Sequence, residues 1–139
     1  MSSRSVSASW EPGPLRCDVV GDGFSVAVDE PVSVGGTADA PQPTDLFLAS
    51  VASCFALALV YSARKRSVAL ESVRVAVVGE YGAGCRFDAV HVQADVVGPT
   101  AAEIDGLRTA AERVCYVTNT LRSPVTLTVT ARPPADESQ

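Results

Sequence analysis

From Leu46 to Ala63 the chain carries no charge, and only Ser50, Ser53 and Ser62 interrupt its apolar character. Such a segment, read as a helix, is apolar on every side rather than along one stripe, and must be surrounded by other material. Its length stands at the threshold for a membrane span. Many of its residues are alanine, however, and strand-like alternating segments flank it on both sides. The segment is therefore read as the buried helix of a soluble core, with no membrane partner. A chain of 139 residues has few surfaces with which to cover that helix. Two copies packing their helices together would cover it, and Ala49, Ala52, Ser53 and Ala56 are small enough for close approach. A homodimer is expected on this argument alone.

Charge narrows the classes of partner. Eleven basic and sixteen acidic residues give a net charge of −5, and Lys65 is the sole lysine. No basic patch is present to hold phosphates, so nucleic acid is not an expected partner. The N-terminal Met1-Ser2-Ser3-Arg4-Ser5 lacks the apolar stretch of a secretory signal, and a cytoplasmic location is expected. Four cysteines in that reducing setting are expected to be free or catalytic rather than structural disulfides.

Around the apolar helix the chain reads as strands punctuated by turns. Ser5–Trp10 and Leu15–Val20 are short strands, and Gly21-Asp22-Gly23 is a hairpin signal. Phe24, Val26 and Val28 alternate with polar or small residues as in a half-buried strand. Residues 31–43, with Gly35-Gly36, Pro41 and Pro43, form an extended linker, and Thr44 or Asp45 is placed to cap the helix that follows. Ser72–Tyr81 and Val90–Val96 are two further strands joined through Gly82-Ala83-Gly84. Thr100 and Glu103 form a capping box that opens an amphipathic helix with Ile104, Leu107, Ala111 and Val114 on one face. Tyr116–Leu121 is a short further turn of helix. Val125, Leu127, Val129 and Ala131 alternate as in a final strand, and residues 133–139 read as a disordered polar tail. Tight turns imply antiparallel pairing, so the class is α+β, with one domain over residues 1–132.

The chemistry resides in thiols. Cys54 lies within the apolar helix and Cys115 at the end of the amphipathic one. Two thiols on separate helices can form a redox pair: one attacks a peroxide to give a sulfenic acid, and the second condenses with it to a disulfide. The plainer reading makes Cys54 a small core residue. Cys17 and Cys85 fall on strand or turn segments. No Cys-x-x-Cys spacing occurs and His91, the only histidine, lies on the polar face of a strand, so no metal site and no cofactor are expected. Neither a Gly-x-Ser-x-Gly elbow nor a phosphate-binding loop is present.

The segments Pro43-Thr44-Asp45-Leu46 through Ser53-Cys54-Phe55-Ala56 and Cys115-Tyr116-Val117-Thr118-Asn119-Thr120-Leu121 resemble the OsmC/Ohr superfamily of osmotically inducible and organic hydroperoxide resistance proteins. The order of strands and helices agrees over nearly the whole chain. The resemblance implies an intertwined homodimer, with antiparallel sheets wrapped around two central helices and active sites between subunits. It also implies thiol-dependent reduction of organic hydroperoxides, with Cys54 peroxidatic and Cys115 resolving. A dithiol partner, lipoyl or thioredoxin-like, would then reduce the disulfide. The family activates its first thiolate with an arginine oriented by an acidic residue. Arg16 and Asp45 are the candidates here. The family's acid stands ten residues before the first cysteine, where this chain has Thr44, and Tyr116 stands where many peroxidases have proline. These departures mark a divergent branch. An alternative function is therefore a non-catalytic dimer that binds an apolar small molecule in its interfacial pocket.

Overall fold

In the computed structural model, which describes residues 2–135, two antiparallel sheets and three α-helices alternate along the chain. Strands β1 (Ser7–Ser9), β2 (Arg16–Gly21) and β3 (Phe24–Asp29) form a three-stranded meander in that order. The β2–β3 hairpin closes on Asp22-Gly23, with Gly21 opposite Phe24 and Gly23 at φ +79°, a conformation glycine adopts without penalty. Helix α1 spans Pro43–Lys65. Strands β4 (Ser72–Tyr81) and β5 (Phe87–Val97) make the second sheet, an antiparallel hairpin with a register irregularity at Glu80/Tyr81. Helices α2 (Ala101–Val114) and α3 (Tyr116–Arg122) follow.

Local chemistry explains where the helices start. Pro43 occupies the first turn of α1, where its missing N–H costs nothing. The cap itself is Gln42, and Asp45 is the third helical residue, accepting the Gln42 N–H at 3.0 Å. The sequence expectation of a cap at Thr44 or Asp45 thus needs moving to Gln42, because the capping box is reciprocal and its acidic half lies three residues inside the helix. The Thr100–Glu103 box forms as expected, with Thr100 Oγ1 accepting the Glu103 N–H at 3.3 Å.

One side of α1 makes the core. Phe55, Ala58, Leu59 and Ala63 pack with Leu107, Ala111 and Cys115, and Val73, Val75, Ala94 and Val96 of the second sheet close over them. The other side stays uncovered, with Leu57 68% exposed and Tyr61 54%. By length and composition α1 could cross a membrane, but it is the element against which β4 and α2 pack. The expected final strand does not form: residues 124–135 take up no helix or strand, and Leu127 is 84% exposed. Alternation specifies the two faces of a strand but not which sheet edge receives it. The expected tail at 133–139 lies outside the described residues from 136 onward.

Candidate active site

The two helices bring together the cysteines that are 61 positions apart in sequence, for Cys115 belongs to the buried core cluster and Cys54 packs against that cluster. Cys115 joins α2 to α3. Its extended backbone (φ −79°, ψ 106°) breaks the helix, so its side chain turns inward and is 0% exposed. Cys54 is partly exposed and lines a cleft of about 680 Å³ with Leu57, Tyr61, Arg113, Tyr116 and Asn119. Access and burial are therefore divided between the two sulfurs.

Their ionisation is divided as well. Burial pushes the Cys54 thiol above the ordinary value, against the N–H groups of Val117 and Tyr116, and the neighbouring Cys115 raises it further. Burial would also raise Cys115. There it is outweighed by the Thr118 hydroxyl and N–H, the Cys54 thiol and the Val117 N–H, which together hold Cys115 below the ordinary thiol value. All four cysteines are free thiols.

Asp45 and Arg16 are engaged elsewhere within the chain. Asp45 completes the α1 capping box. The Arg16 guanidinium binds Asp29 at 3.2 Å, directly across the β2–β3 ladder. Asp29, only 1% exposed, also accepts the N–H groups of Glu30 (2.8 Å), Thr37 (2.9 Å) and Asp39 (3.1 Å) and the Thr37 hydroxyl. This carboxylate folds the 30–39 loop onto the sheet. Gly36 admits the approach, since a Cβ there would stand 1.9 Å from the Glu30 carbonyl oxygen. The pair was legible in advance: counting outward from an Asp22-Gly23 turn sets Arg16 opposite Asp29. The arginine that lines the Cys54 cleft is Arg113, which sequence reading had not singled out.

A second, larger cleft of about 810 Å³ lies between the start of α1, the β4–β5 turn and α3. Phe47, Val51, Tyr81, Phe87 and Leu121 make it apolar, and Cys85 stands on its wall; neither Cys54 nor Cys115 lines it. Cys85 is exposed in the turn at φ +54°. His91 is a surface residue, 3.2 Å from Glu80. Among the described residues no three His, Cys, Asp or Glu side chains are placed to hold a metal ion.

Two antiparallel sheets packed with a long apolar helix, which carries a thiol near a second thiol from the next helix, define an α+β fold. The chain belongs to the OsmC-like protein family, whose model matches residues 36–130. Solved structures agree on the fold. An organic hydroperoxide resistance protein from Legionella pneumophila matches at 24% identity over 88% of this chain and 90% of that one, with a TM-score of 0.69. One from Elizabethkingia anophelis matches at 24% identity over 88% and 89%, also at 0.69. An OsmC-like protein of unknown function from Vibrio cholerae matches at 20% identity over 86% and 94%, at 0.74. No curated protein matches the chain in sequence.

Proposed function

We propose that this chain is a dimeric, cytoplasmic thiol peroxidase that reduces organic hydroperoxides. Cys54 is the attacking residue and Cys115 the resolving one. The observation that carries the reading is the placement of the two thiols in one packed cluster, with Cys54 open to a cleft and Cys115 sealed behind it. Relatives described as organic hydroperoxide resistance proteins support it. In the reaction Cys54 attacks the O–O bond and becomes a sulfenic acid while the alcohol leaves. Cys115 displaces that oxygen as water, and the disulfide returns to two thiols at the expense of a lipoyl or thioredoxin-like dithiol. The dimer is supported by the apolar surface that one chain leaves uncovered: Leu57 and Tyr61 on α1, and Val125, Leu127 and Val129 beyond α3. Arg16 and Asp45 stay in this proposal as the candidate arginine and acid for activating the Cys54 thiolate, although within one chain Arg16 is paired with Asp29 and Asp45 accepts the Gln42 N–H.

The test treats reduced protein with a small excess of cumene hydroperoxide and maps its thiols by mass spectrometry. A rapid Cys54–Cys115 disulfide is expected, with none in Cys54→Ser and a trapped Cys54 sulfenic acid in Cys115→Ser. Turnover unchanged in Cys54→Ser would sink the reading. The larger apolar cleft favours one alternative, a non-catalytic dimer that holds an apolar small molecule. Thiols that oxidise only as slowly as free cysteine, together with an apolar compound co-purifying, would establish that alternative instead.

A further inference from the structure

Cys115 can meet Cys54 only if its side chain is turned toward α1, and a single residue sets that direction. α2 ends at Val114 and α3 begins at Tyr116, so Cys115 is the whole of the junction, with ψ at 106°. α3 has seven residues and buries none of them fully. A helix that short is marginal on its own, and packing constrains its angle to α2 only weakly. Hydrogen bonds fasten it instead. The Asn119 N–H donates to the Cys115 carbonyl at 3.0 Å, and the Asn119 Nδ2 donates to the Arg113 carbonyl, six residues back, at 3.2 Å. The Arg113 carbonyl is one of the last of α2, which the helix itself leaves without partners. Asn119 therefore holds one carbonyl before the break and another within it. The other side-chain tie from α3 to α2 is Arg122 with Glu112 at 3.0 Å, an exposed ion pair that contributes little.

We propose that Asn119 is a positioning residue for disulfide formation: by bonding across the α2–α3 break it keeps the Cys115 side chain directed at Cys54. The step it serves rests on the peroxidase reading, whereas the placement of Cys115 rests on the geometry of the junction alone.

In that step the organic hydroperoxide has already oxidised Cys54 to a sulfenic acid and left as the alcohol. The Cys115 sulfur attacks the Cys54 sulfur, the S–S bond forms as the S–O bond breaks, and the hydroxide leaves with the Cys115 proton as water. No further oxidant is needed. The attack is sensitive to the placement of the incoming sulfur, since a shift of a fraction of an ångström costs about tenfold in rate. Asn119→Asp keeps the shape of the side chain but cannot donate when ionised, and it sets a carboxylate against the Arg113 carbonyl oxygen. Asn119→His places an N–H at the same two bonds from Cβ and so keeps the donor.

The test uses a Cys17→Ser/Cys85→Ser background, so that only this pair reacts. Protein is mixed with cumene hydroperoxide and quenched over time with dimedone, and mass spectrometry separates the appearance of the Cys54 sulfenic acid from the appearance of the Cys54–Cys115 disulfide. In Asn119→Asp the first rate should stay within about twofold of the parent and the second should fall about tenfold. Asn119→His should restore the second rate. If Asn119→Asp does not fold, Asn119→Leu takes its place. An unchanged second rate, or no rescue by His, overturns the role of Asn119. An equal loss in both rates also overturns it, because Asn119 lines the Cys54 cleft and would then be acting on the hydroperoxide directly. A parent that forms no sulfenic acid sinks the peroxidase reading instead. The placement of Cys115 is then read from the disulfide equilibrium in glutathione buffers, where the Cys54–Cys115 bond should be about tenfold weaker in Asn119→Asp, and an unchanged equilibrium overturns the inference.

Discussion

Replacing Leu107 by Ala removes three carbons from the seam where α2 meets α1. Leu107 is 1% exposed and touches the cluster that includes Phe55, Leu59, Ala111 and Cys115. Three buried carbons at about 0.8 kcal/mol each account for roughly 2.4 kcal/mol of transfer free energy. The cavity left behind adds to this, because α1 and the sheet hold its walls apart, and the total comes to about 3–4 kcal/mol. In urea denaturation with a slope of about 2 kcal/mol per molar, the midpoint should fall by about 1.5–2 M. Protein concentration must be the same for both variants, since the stability of the proposed dimer would depend on it. A second readout ties the change to the site. Cys115 is sealed by this seam, so its alkylation in the native protein requires an opening. That opening becomes easier by the same free energy, and the labelling rate should rise by about 150- to 900-fold. A loss below about 1 kcal/mol would mean that the seam is loosely packed, and the argument that it positions Cys115 would fail.

Asp29→Asn keeps the side chain's shape but removes the charge, and its amide nitrogen cannot accept hydrogen bonds from Arg16, Thr37 or Asp39, so the melting temperature should drop. The Thr37 hydroxyl, against the opposing effect of burial, and then the N–H groups of Thr37, Asp39 and Glu30 hold the Asp29 carboxyl well below the usual carboxylate range. A group depressed in this way contributes stability above its unfolded value, near pH 4, and loses it as pH falls toward its folded value. The gap between the two proteins should therefore narrow in acid; a gap that widened would refute the assignment. Truncation after Ser123 removes Val125, Leu127 and Val129 and should convert the proposed dimer to monomer in size-exclusion chromatography with light scattering. A dimer that persists would place the interface on α1 alone.

Much of the site was legible because its ingredients are local. The charge-free run from Leu46 to Ala63 announces a helix that needs covering, and α1 runs from Pro43 to Lys65. The Thr100–Glu103 box sets the start of α2, and the Asp22-Gly23 turn sets the β2–β3 register. These features depend on neighbours within four residues or on a strict period, which a sequence displays directly. The two cysteines stood out for the same reason, each lying at a recognisable place on its own helix. Tertiary packing alone decided the rest. It sealed Cys115, although that residue ends an amphipathic helix, and left Cys54 of the apolar helix at a cleft, because the break at the α2–α3 junction turns the Cys115 side chain inward. It brought Arg113 to the cleft. It left the alternating segment after α3 without a partner in its own chain. Periodicity records which face of an element is apolar, whereas the partner of that face, and the ionisation of a thiol buried beneath it, depend on contacts between residues far apart in the chain.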